Sequence, residues 1–261
     1  MKLEFKKQYR VELAPTLSSH WYSVWEKKKN GKEKFLGYFA SSTTILNAYP
    51  QSQFLTKWIA DNGWSESQRI KSEAGERGTS IHSACDALEN GQVLVKENNY
   101  SLEEWVKIKS FVDWHNEYKP ELIAMELPVF SSKGKYAGRL DRLYNIAGEV
   151  TVLDIKSGSG LHEHFPLQFA SYAKALEENT NLKIIQTAAL QLGAPNKNGY
   201  RFVIYPDWKD HYKVFEHVHA TWKYEYFDSK KNPKEPPVLV LPGTLSLNNT
   251  PKVTSRVIGT K

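Results

Sequence analysis

The stretch that decides the fold is residues 138–160, GRLDRLYNIAGEVTVLDIKSGSG. Two runs rich in apolar, β-branched and aromatic residues flank an Ala-Gly pair, a pattern that predicts a β-hairpin. Asp141, Asp154 and Lys156 lie inside these runs, although a charged side chain on the buried face of a hairpin costs free energy unless it is paired. The three charges therefore need partners that the hairpin itself does not supply.

The spacing of the charges suggests what that partner is. Side chains alternate between the two faces of a strand, so Asp154 and Lys156 project from the same face. A turn centred on Ala147 and Gly148 would place Asp141 opposite Asp154, whereas a three-residue loop would break this alignment. Opposed carboxylates repel and raise a pKa unless a cation joins them. Because Mg²⁺ prefers one or two carboxylates and keeps sites for water and phosphate oxygens, the hairpin predicts a magnesium site.

Lys156 fits the same chemistry. An ammonium group beside a metal can orient or help to deprotonate an attacking water, and it can stabilise the charge that grows on a phosphorane. The glycines of the following KSGSG segment allow a ligand to approach the backbone closely. An Asp-x-Lys pair on an edge strand is also a common surface ion pair, so this interpretation depends on the other motifs.

The composition limits the number of domains, the cellular location and the kinds of cysteine site that the chain can have. With 261 residues and 40% hydrophobic residues, the chain can bury a sizeable core as one large or two small domains. No apolar run approaches the roughly 20 residues that cross a bilayer, and the N-terminus lacks the apolar stretch of a signal peptide, so we expect a cytoplasmic protein without a membrane partner. Cys85 is the single cysteine, which excludes an intrachain disulfide, a zinc ribbon and a cysteine-ligated iron–sulfur cluster.

The charge balance points to a polyanionic partner. The net charge is +6 and the pI is near 9.1, which favours nucleic acid because binding releases counterions. Charge alone is weak evidence, since many basic proteins bind no nucleic acid, and it becomes useful only beside a catalytic pattern.

Hydrophobic periodicity predicts a helical N-terminal half followed by strands. Residues 20–40 read as a hairpin with an Asn-Gly turn whose lysines are a solvated tip or, less favoured, a contact to a DNA backbone. Helices are predicted at 41–50, 51–63, 65–91 and 102–119, the last with Trp105, Ile108, Val112 and His115 at helical spacing. Strands are predicted at 121–132, 135–146, 149–158, 183–193, 199–206 and 212–219, with helices at 167–180 and 220–231.

These elements predict an α/β fold with a mixed central β-sheet flanked by helices and a helical N-terminal portion packed against it. We divide the chain into an N-terminal β-hairpin extension at 1–40, a main domain at 41–231 and a flexible, proline-rich, basic C-terminal tail at 232–261.

Four short motifs occur in order and carry a family resemblance. They are GERGTSIHSA, GRLDRL, VLDIKSG and QFASY. Together they resemble the PD-(D/E)XK nuclease superfamily in its RecB-nuclease-like branch, which includes many phage exonucleases. The resemblance spans about residues 41–192, and the combination is more specific than any single motif.

The resemblance implies a restriction-endonuclease-like core and a set of site residues. It implies Mg²⁺ or Mn²⁺ as the cofactor and no iron–sulfur cluster, with four metal ligands: His82, Asp141, Asp154 and the main-chain carbonyl of Ile155. It implies five catalytic residues: Asp141, Asp154, Lys156, Gln168 and Tyr172. Gln168 and Tyr172 are four apart and share a helix face, which could hold the Lys156 region and a DNA phosphate, although core packing is the alternative for Tyr172.

Further residues are weaker candidates. Glu126 is a possible accessory ligand through water or a second metal, and a surface glutamate is comparably favoured. Arg77 and Arg139 could contact phosphates, although surface solubility explains them nearly as well. His162 and His164 are interpreted as loop residues that could lie near the substrate.

The resemblance implies a Mg²⁺- or Mn²⁺-dependent DNA nuclease that leaves a 5′-phosphate. We expect an exonuclease acting on single strands or duplex ends in DNA recombination, repair or phage DNA processing. A structure-specific endonuclease, a catalytically inactive DNA-binding module and a metal-binding protein unrelated to nucleic acid remain as alternatives, because a fold does not determine a function.

Overall fold

The computed structural model describes residues 2–14, 16, 19–96 and 100–225, so the tail predicted at 232–261 lies outside the described residues. The strands are β1 Gln8–Ala14, β2 Trp21–Lys27, β3 Glu33–Ser41, β4 Glu121–Ser131, β5 Tyr136–Ile146, β6 Glu149–Lys156, β7 Gln186–Leu192 and β8 Tyr200–Tyr205. The helices are α1 Ser42–Leu46, α2 Gln53–Asn62, α3 Trp64–Glu89, α4 Leu102–Tyr118, α5 Phe165–Asn179 and α6 Trp208–Lys223.

In these ranges, eight strands form one mixed sheet flanked by helices, which confirms the predicted α/β class. The strand order is β1-β2-β3-β5-β6-β7-β8, and β4 pairs with β5 outside this path. The β3–β5 and β6–β7 pairs are parallel and the other pairs are antiparallel. The N-terminal hairpin joins the central sheet through β3, where Ala40 pairs with Tyr136 and Ser41 pairs with Ala137. Strand β1, which was not predicted, extends the sheet beyond this hairpin.

The central hairpin has the turn that the alignment required. Ala147 and Gly148 have φ values of +52° and +93°, and two successive left-handed residues are the mark of a two-residue type I′ hairpin turn. The β5–β6 pairing runs from Ile146 opposite Glu149 to Arg142 opposite Leu153. The predicted turn and register are therefore confirmed.

Two layers of helices cover the two faces of the sheet. On one face, α1, α5 and α6 pack on a cluster that includes Leu143 and Val152. On the other face, α3 and α4 pack on a cluster that includes Leu153 and Ile155. Successive residues of β6 thus enter opposite cores, as strand alternation requires. Asp154 and Lys156 share the α5 face with Val152.

The strand predicted at 212–219 is wrong, because this segment lies in helix α6. Its Tyr, Val and Phe content favours a strand, but its buried residues follow helical spacing. Phe215, Val218 and Trp222 are buried three or four residues apart. Tertiary packing of that stripe on α1 and α5 overrides the β propensity. The predicted late helix at 220–231 is the last turn of α6, and its residues from 226 onward lie outside the described residues.

Two other helices differ from prediction in detail. Helix α1 ends at Leu46, well before Pro50. On α4, Ile108 is buried as predicted, but Val112 is 36% exposed, and Phe111 and Trp114 complete the buried face instead. The large rings of Phe111 and Trp114 bury more apolar area than Val112 would. The helix therefore turns these rings toward the core and Val112 toward solvent.

None of the helices in the described parts of the chain combines the length and the apolar character needed to span a bilayer.

Candidate metal centre and active site

The candidate site lies where β5 and β6 separate. Their pairing ends at Arg142 and Leu153, and one further residue in the same register brings Asp141 opposite Asp154. Beyond that point a side chain replaces the ladder, because the Ile155 N–H donates to Asp141 Oδ2 at 2.9 Å. The strand ends therefore open into a gap lined by carboxylates.

Helix α3 delivers His82 to this gap. His82 Nε2 lies 3.0 Å from the Ile155 carbonyl oxygen, and Nδ1 lies 3.5 Å from Asp141 Oδ2. Gly78, one turn earlier, permits the close approach of the helix, since a Cβ there would lie 3.3 Å from Ser157 Oγ. Both main-chain polar groups of Ile155 are thus engaged by side chains of the site.

Glu126 lies closer to His82 and Asp141 than expected for a residue that acts only through water or a second metal. It follows Met125, the partner of Arg142, and precedes Leu127, the partner of Leu140, so it faces Asp141 across β4 and β5. Its φ of +48° is in the left-handed region, which costs a non-glycine residue about 1–3 kcal/mol and persists only where the surroundings impose it.

The donor atoms of His82, Glu126 and Asp141 all lie within 4.8 Å of one another. An imidazole, two carboxylates and the adjacent Ile155 carbonyl form a donor set that suits a hard divalent cation such as Mg²⁺ or Mn²⁺. The residues present therefore fit the predicted metal, with Glu126 inside the group.

Electrostatics in the gap favour uncharged forms of the two central groups. Burial, and then the nearby charge of Asp154, raise the pKa of Asp141 well above its usual value. Burial lowers the pKa of His82, which keeps the imidazole neutral and able to act as a ligand. A divalent cation would reverse the cost of ionising Asp141, because an opposite charge favours the carboxylate.

Asp154 and Lys156 form a separate pair beside this group. Lys156 Nζ lies 2.5 Å from Asp154 Oδ2, in a site where Asp154 is only 3% exposed. Lys156 Nζ also lies 4.3 Å from the centre of the Phe165 ring, a cation–π contact that fixes its position. The predicted core motif is thus assembled with its ammonium and carboxylate in contact.

Helix α5 contacts this pair through Gln168. Gln168 Nε2 lies 3.5 Å from Asp154 Oδ1 and donates to Tyr172 Oη at 3.0 Å. Tyr172 is buried, and burial followed by the charge of Asp154 raises its pKa. Its ring lies over Gly138, where a Cβ would come within 2.4 Å of Tyr172 Cε1. Gly138 therefore allows the helix to pack against the strand that carries Asp141.

The two predicted phosphate-binding arginines occupy different places. Arg139 lies at the site, with Nη1 3.6 Å from Glu126 Oε2 and a side chain that is 47% exposed. Arg77 lies on α3, in the wall of a groove that begins at Ser157, directly after Lys156. His162 and His164 stack on each other at 5.6 Å, and both rings contact Phe165 beneath Lys156.

A cluster that the sequence interpretation missed surrounds Arg142. This arginine is fully buried and forms ion pairs with Asp86 and Glu89 of α3, while Tyr144 donates to Glu89. Arg142 Nη1 also donates to the Asp141 carbonyl at 2.9 Å. The sequence shows that Arg142 and Tyr144 lie on the same strand face, because they are two residues apart. It does not show the cluster, because the partners Asp86 and Glu89 lie more than fifty residues away along the chain.

Comparison with models of known protein families gives no match to this chain, and comparison with curated proteins gives none.

Proposed function

We propose that this chain is a metal-dependent DNA nuclease of the PD-(D/E)XK type, with a restriction-endonuclease-like core, that hydrolyses phosphodiester bonds as an exonuclease. The observation that carries the proposal is the grouping of the His82, Glu126 and Asp141 donor atoms within 4.8 Å, beside the Asp154–Lys156 pair. Three of the four motifs supply residues to this grouping, and Gln168 of the fourth contacts Asp154.

Mg²⁺ or Mn²⁺ is the proposed cofactor, and iron–sulfur chemistry has no ligand set because Cys85 is the single cysteine. His82, Asp141, Asp154 and the Ile155 carbonyl would hold the ion, with Glu126 as a further ligand. When bound, such an ion polarises the scissile phosphate and lowers the pKa of its water.

The chain's own residues supply positioning and charge. Lys156 holds a positive charge beside Asp154, where it can stabilise the negative charge that grows on the phosphate oxygens. Gln168 contacts Asp154 and donates to Tyr172, so Tyr172 holds the amide that faces Asp154. Arg139 can exchange its 3.6 Å contact with Glu126 for a phosphate, since its guanidinium is half exposed.

DNA is the proposed partner because the chain carries a net charge of +6 and the site has phosphate-transfer chemistry. We place the activity in the cytoplasm, in DNA recombination, repair or phage DNA processing, on single strands or duplex ends.

A cleavage assay with end-labelled linear and closed circular DNA, in Mg²⁺, Mn²⁺ or EDTA, tests the proposal. We expect metal-dependent cleavage of linear DNA and sparing of circles. Asp154→Asn and Lys156→Ala should each lower the rate by roughly 100-fold or more, because Asp154 would hold the metal ion and Lys156 supplies positive charge to the phosphate. Asp113→Asn, which alters an exposed pair with Lys109 on α4, is the matched control and should cleave normally.

The other outcomes separate the alternatives. Cleavage of closed circles would assign an endonuclease instead. Salt-sensitive DNA binding with no metal-dependent product would assign an inactive binding module, and undiminished cleavage by the Asp154 and Lys156 variants would overturn the site.

A further inference from the structure

A groove opens beside the candidate site, between α3 and α4. Its volume is about 710 Å³, and its walls and floor include Ile70, Arg77, Val106, Lys107, Ser157 and Ser159. The lining includes Ser157, the residue after Lys156, so the groove lies beside the strand end that carries the candidate site. We call it the α3–α4 groove.

The groove exists because only half of α3 packs on the sheet. The buried residues Ile81, Ala84 and Cys85 lie in its C-terminal half, whereas residues 68–76 are half-buried or exposed. The first two turns of α4 face this projecting half, with Leu102 68% exposed and Val106 49% exposed. A solvent-exposed apolar stripe on a wall next to a catalytic site suggests that something covers it.

The floor of the groove is held in place. Gln191 Nε2 donates to the Gly158 carbonyl at 3.2 Å, and Gly78 of α3 packs against Ser157. The Lys107 stem lies over Gly193, where a Cβ would come within 2.9 Å of it. The groove is therefore formed before any ligand binds, and binding incurs little ordering cost.

The lining combines apolar and cationic groups. Ile70, Leu102 and Val106 supply apolar area, and Arg77 supplies a positive charge at the groove wall. Lys107 pairs with Glu103 at 2.6 Å, so those two charges largely cancel and Arg77 leaves the lining with a net positive charge. This lining suits a ligand with alternating apolar faces and negative charges.

We propose that the α3–α4 groove binds single-stranded DNA and makes single strands the substrate of the candidate site. This inference rests on the proposed nuclease function and specifies its substrate class. A single strand exposes the faces of its bases as well as its phosphates, and both match the lining. A duplex stacks those faces inside and offers only its backbone to such a wall. The volume is of the size that holds one or two nucleotides.

Binding without catalysis tests the groove directly. Anisotropy in EDTA compares a labelled single strand of about 12 nucleotides with its duplex. We expect the wild-type protein to bind the single strand at least about tenfold more tightly at equal salt. Val106→Glu should weaken single-strand binding about tenfold, because a carboxylate repels phosphates and removes apolar area. Val112→Glu, on the same helix but outside the groove, is the control and should bind normally, with thermal melting confirming that both variants fold.

Arg77→Gln tests the groove in a second way, through the salt dependence of single-strand binding. The slope of log Kd against log salt should fall by about 0.7, the value for one phosphate contact on a single strand. Equal binding by the Val106 and Val112 variants, or a preference for duplex, would overturn the groove, including the case in which it binds an apolar peptide.

Cleavage in Mg²⁺ separates this inference from the nuclease itself. If the wild-type protein cleaves DNA and Val106→Glu cleaves single strands equally well, the groove assignment is wrong and the nuclease stands. If the wild-type protein cleaves neither form but its single-strand binding depends on Val106, the nuclease is wrong and the groove stands.

Discussion

Asp141 and Arg142 are consecutive residues of β5, yet their surroundings differ in how charge is balanced. The fully buried Arg142 meets Asp86 and Glu89, so a cation lies between two carboxylates. Asp141 lies near Asp154 and Glu126, and its direct contacts are His82 and the Ile155 N–H. Each charge of the Arg142 cluster has a partner of opposite sign, whereas Asp141, among the described residues, pairs only with His82, whose pKa is lowered by burial. We call the first group balanced and the second unbalanced in this sense.

The pKa values of both groups are raised, with opposite consequences for their charge. Burial opposes the charge on Arg142, but Glu89, Tyr144 and Asp86 outweigh it and raise the pKa of the guanidinium. Burial and Asp154 raise the pKa of Asp141, which favours its neutral form. The chain therefore stabilises an ion at Arg142 and destabilises one at Asp141. A buried carboxylate held in this way is typical of a functional site, whereas a balanced buried cluster is typical of a structural one.

The balanced cluster also supports the unbalanced one. Helix α3 carries His82 together with Asp86 and Glu89, so the ion pairs of Arg142 fix the helix that delivers the imidazole. Arg142 Nη1 lies 3.9 Å from Glu126 Oε1 and donates to the Asp141 carbonyl. We therefore regard Arg142 as a positioning residue for the candidate metal centre.

Removing the cation from the balanced cluster should have the largest effect on stability. Arg142→Met leaves Glu89 buried without its partner, and losing one member of a buried pair costs about 3–5 kcal/mol. Arg139→Met, three residues away on the same strand, removes only a half-exposed pair and should cost about 1 kcal/mol or less. Urea unfolding of both variants measures the difference. Equal losses would mean that the Arg142 cluster is no more structural than a surface pair.

Neutralising Asp141 should raise the stability of the metal-free protein, whereas neutralising Arg142 should lower it. Because the folded pKa of Asp141 is raised, its contribution to stability is fully present below the unfolded value near about pH 4 and is lost as pH rises through the folded pKa. Without metal, Asp141→Asn should therefore be more stable than wild type at pH 7, by about 1.4 kcal/mol for each unit of raised pKa.

Melting temperatures measured in EDTA across the acidic to neutral range test this prediction. The advantage of Asp141→Asn over wild type should grow as pH rises, and added Mn²⁺ should stabilise wild type but not the variant. Asp113→Asn serves as the control without such a trend. A variant that is less stable than wild type at every pH would show that the Asp141 carboxylate is satisfied within the chain.

Much of the architecture was predictable because it is recorded in local patterns. The β5–β6 turn, its register and the alternation of Leu153, Asp154 and Ile155 follow from period and turn chemistry. The α5 helix and the Gln168–Tyr172 contact follow from a spacing of four. The strand predicted at 212–219 failed because propensity and helical burial conflict there, and packing on α5 decides the outcome.

The site was predictable only where its residues lie in motifs. The sequence indicated Glu126 only as a possible accessory ligand, because the left-handed conformation at this residue of the candidate metal group is imposed by the tertiary structure. The partners of Arg142 lie on α3, and no local signal connects residues so far apart. The α3–α4 groove depends on how far α3 projects beyond the sheet, which is a property of packing and not of periodicity.

The smallest effect we expect concerns how closely α5 holds the unbalanced site. In Gly138→Ala, the added Cβ would lie 2.4 Å from Tyr172 Cε1, so the ring must move and the overpacking should cost about 1–3 kcal/mol. Gly75→Ala, in the open middle of α3 with nothing within 4 Å of the added atom, is the control and should stabilise by about 0.5–1 kcal/mol. Because Tyr172 accepts from Gln168, which contacts Asp154, the Gly138 variant should also lower kcat with little change in KM. A loss of stability with unchanged kcat would show that α5 packs against the site without positioning Asp154. The unbalanced carboxylates would then be held by β5, β6 and α3 alone.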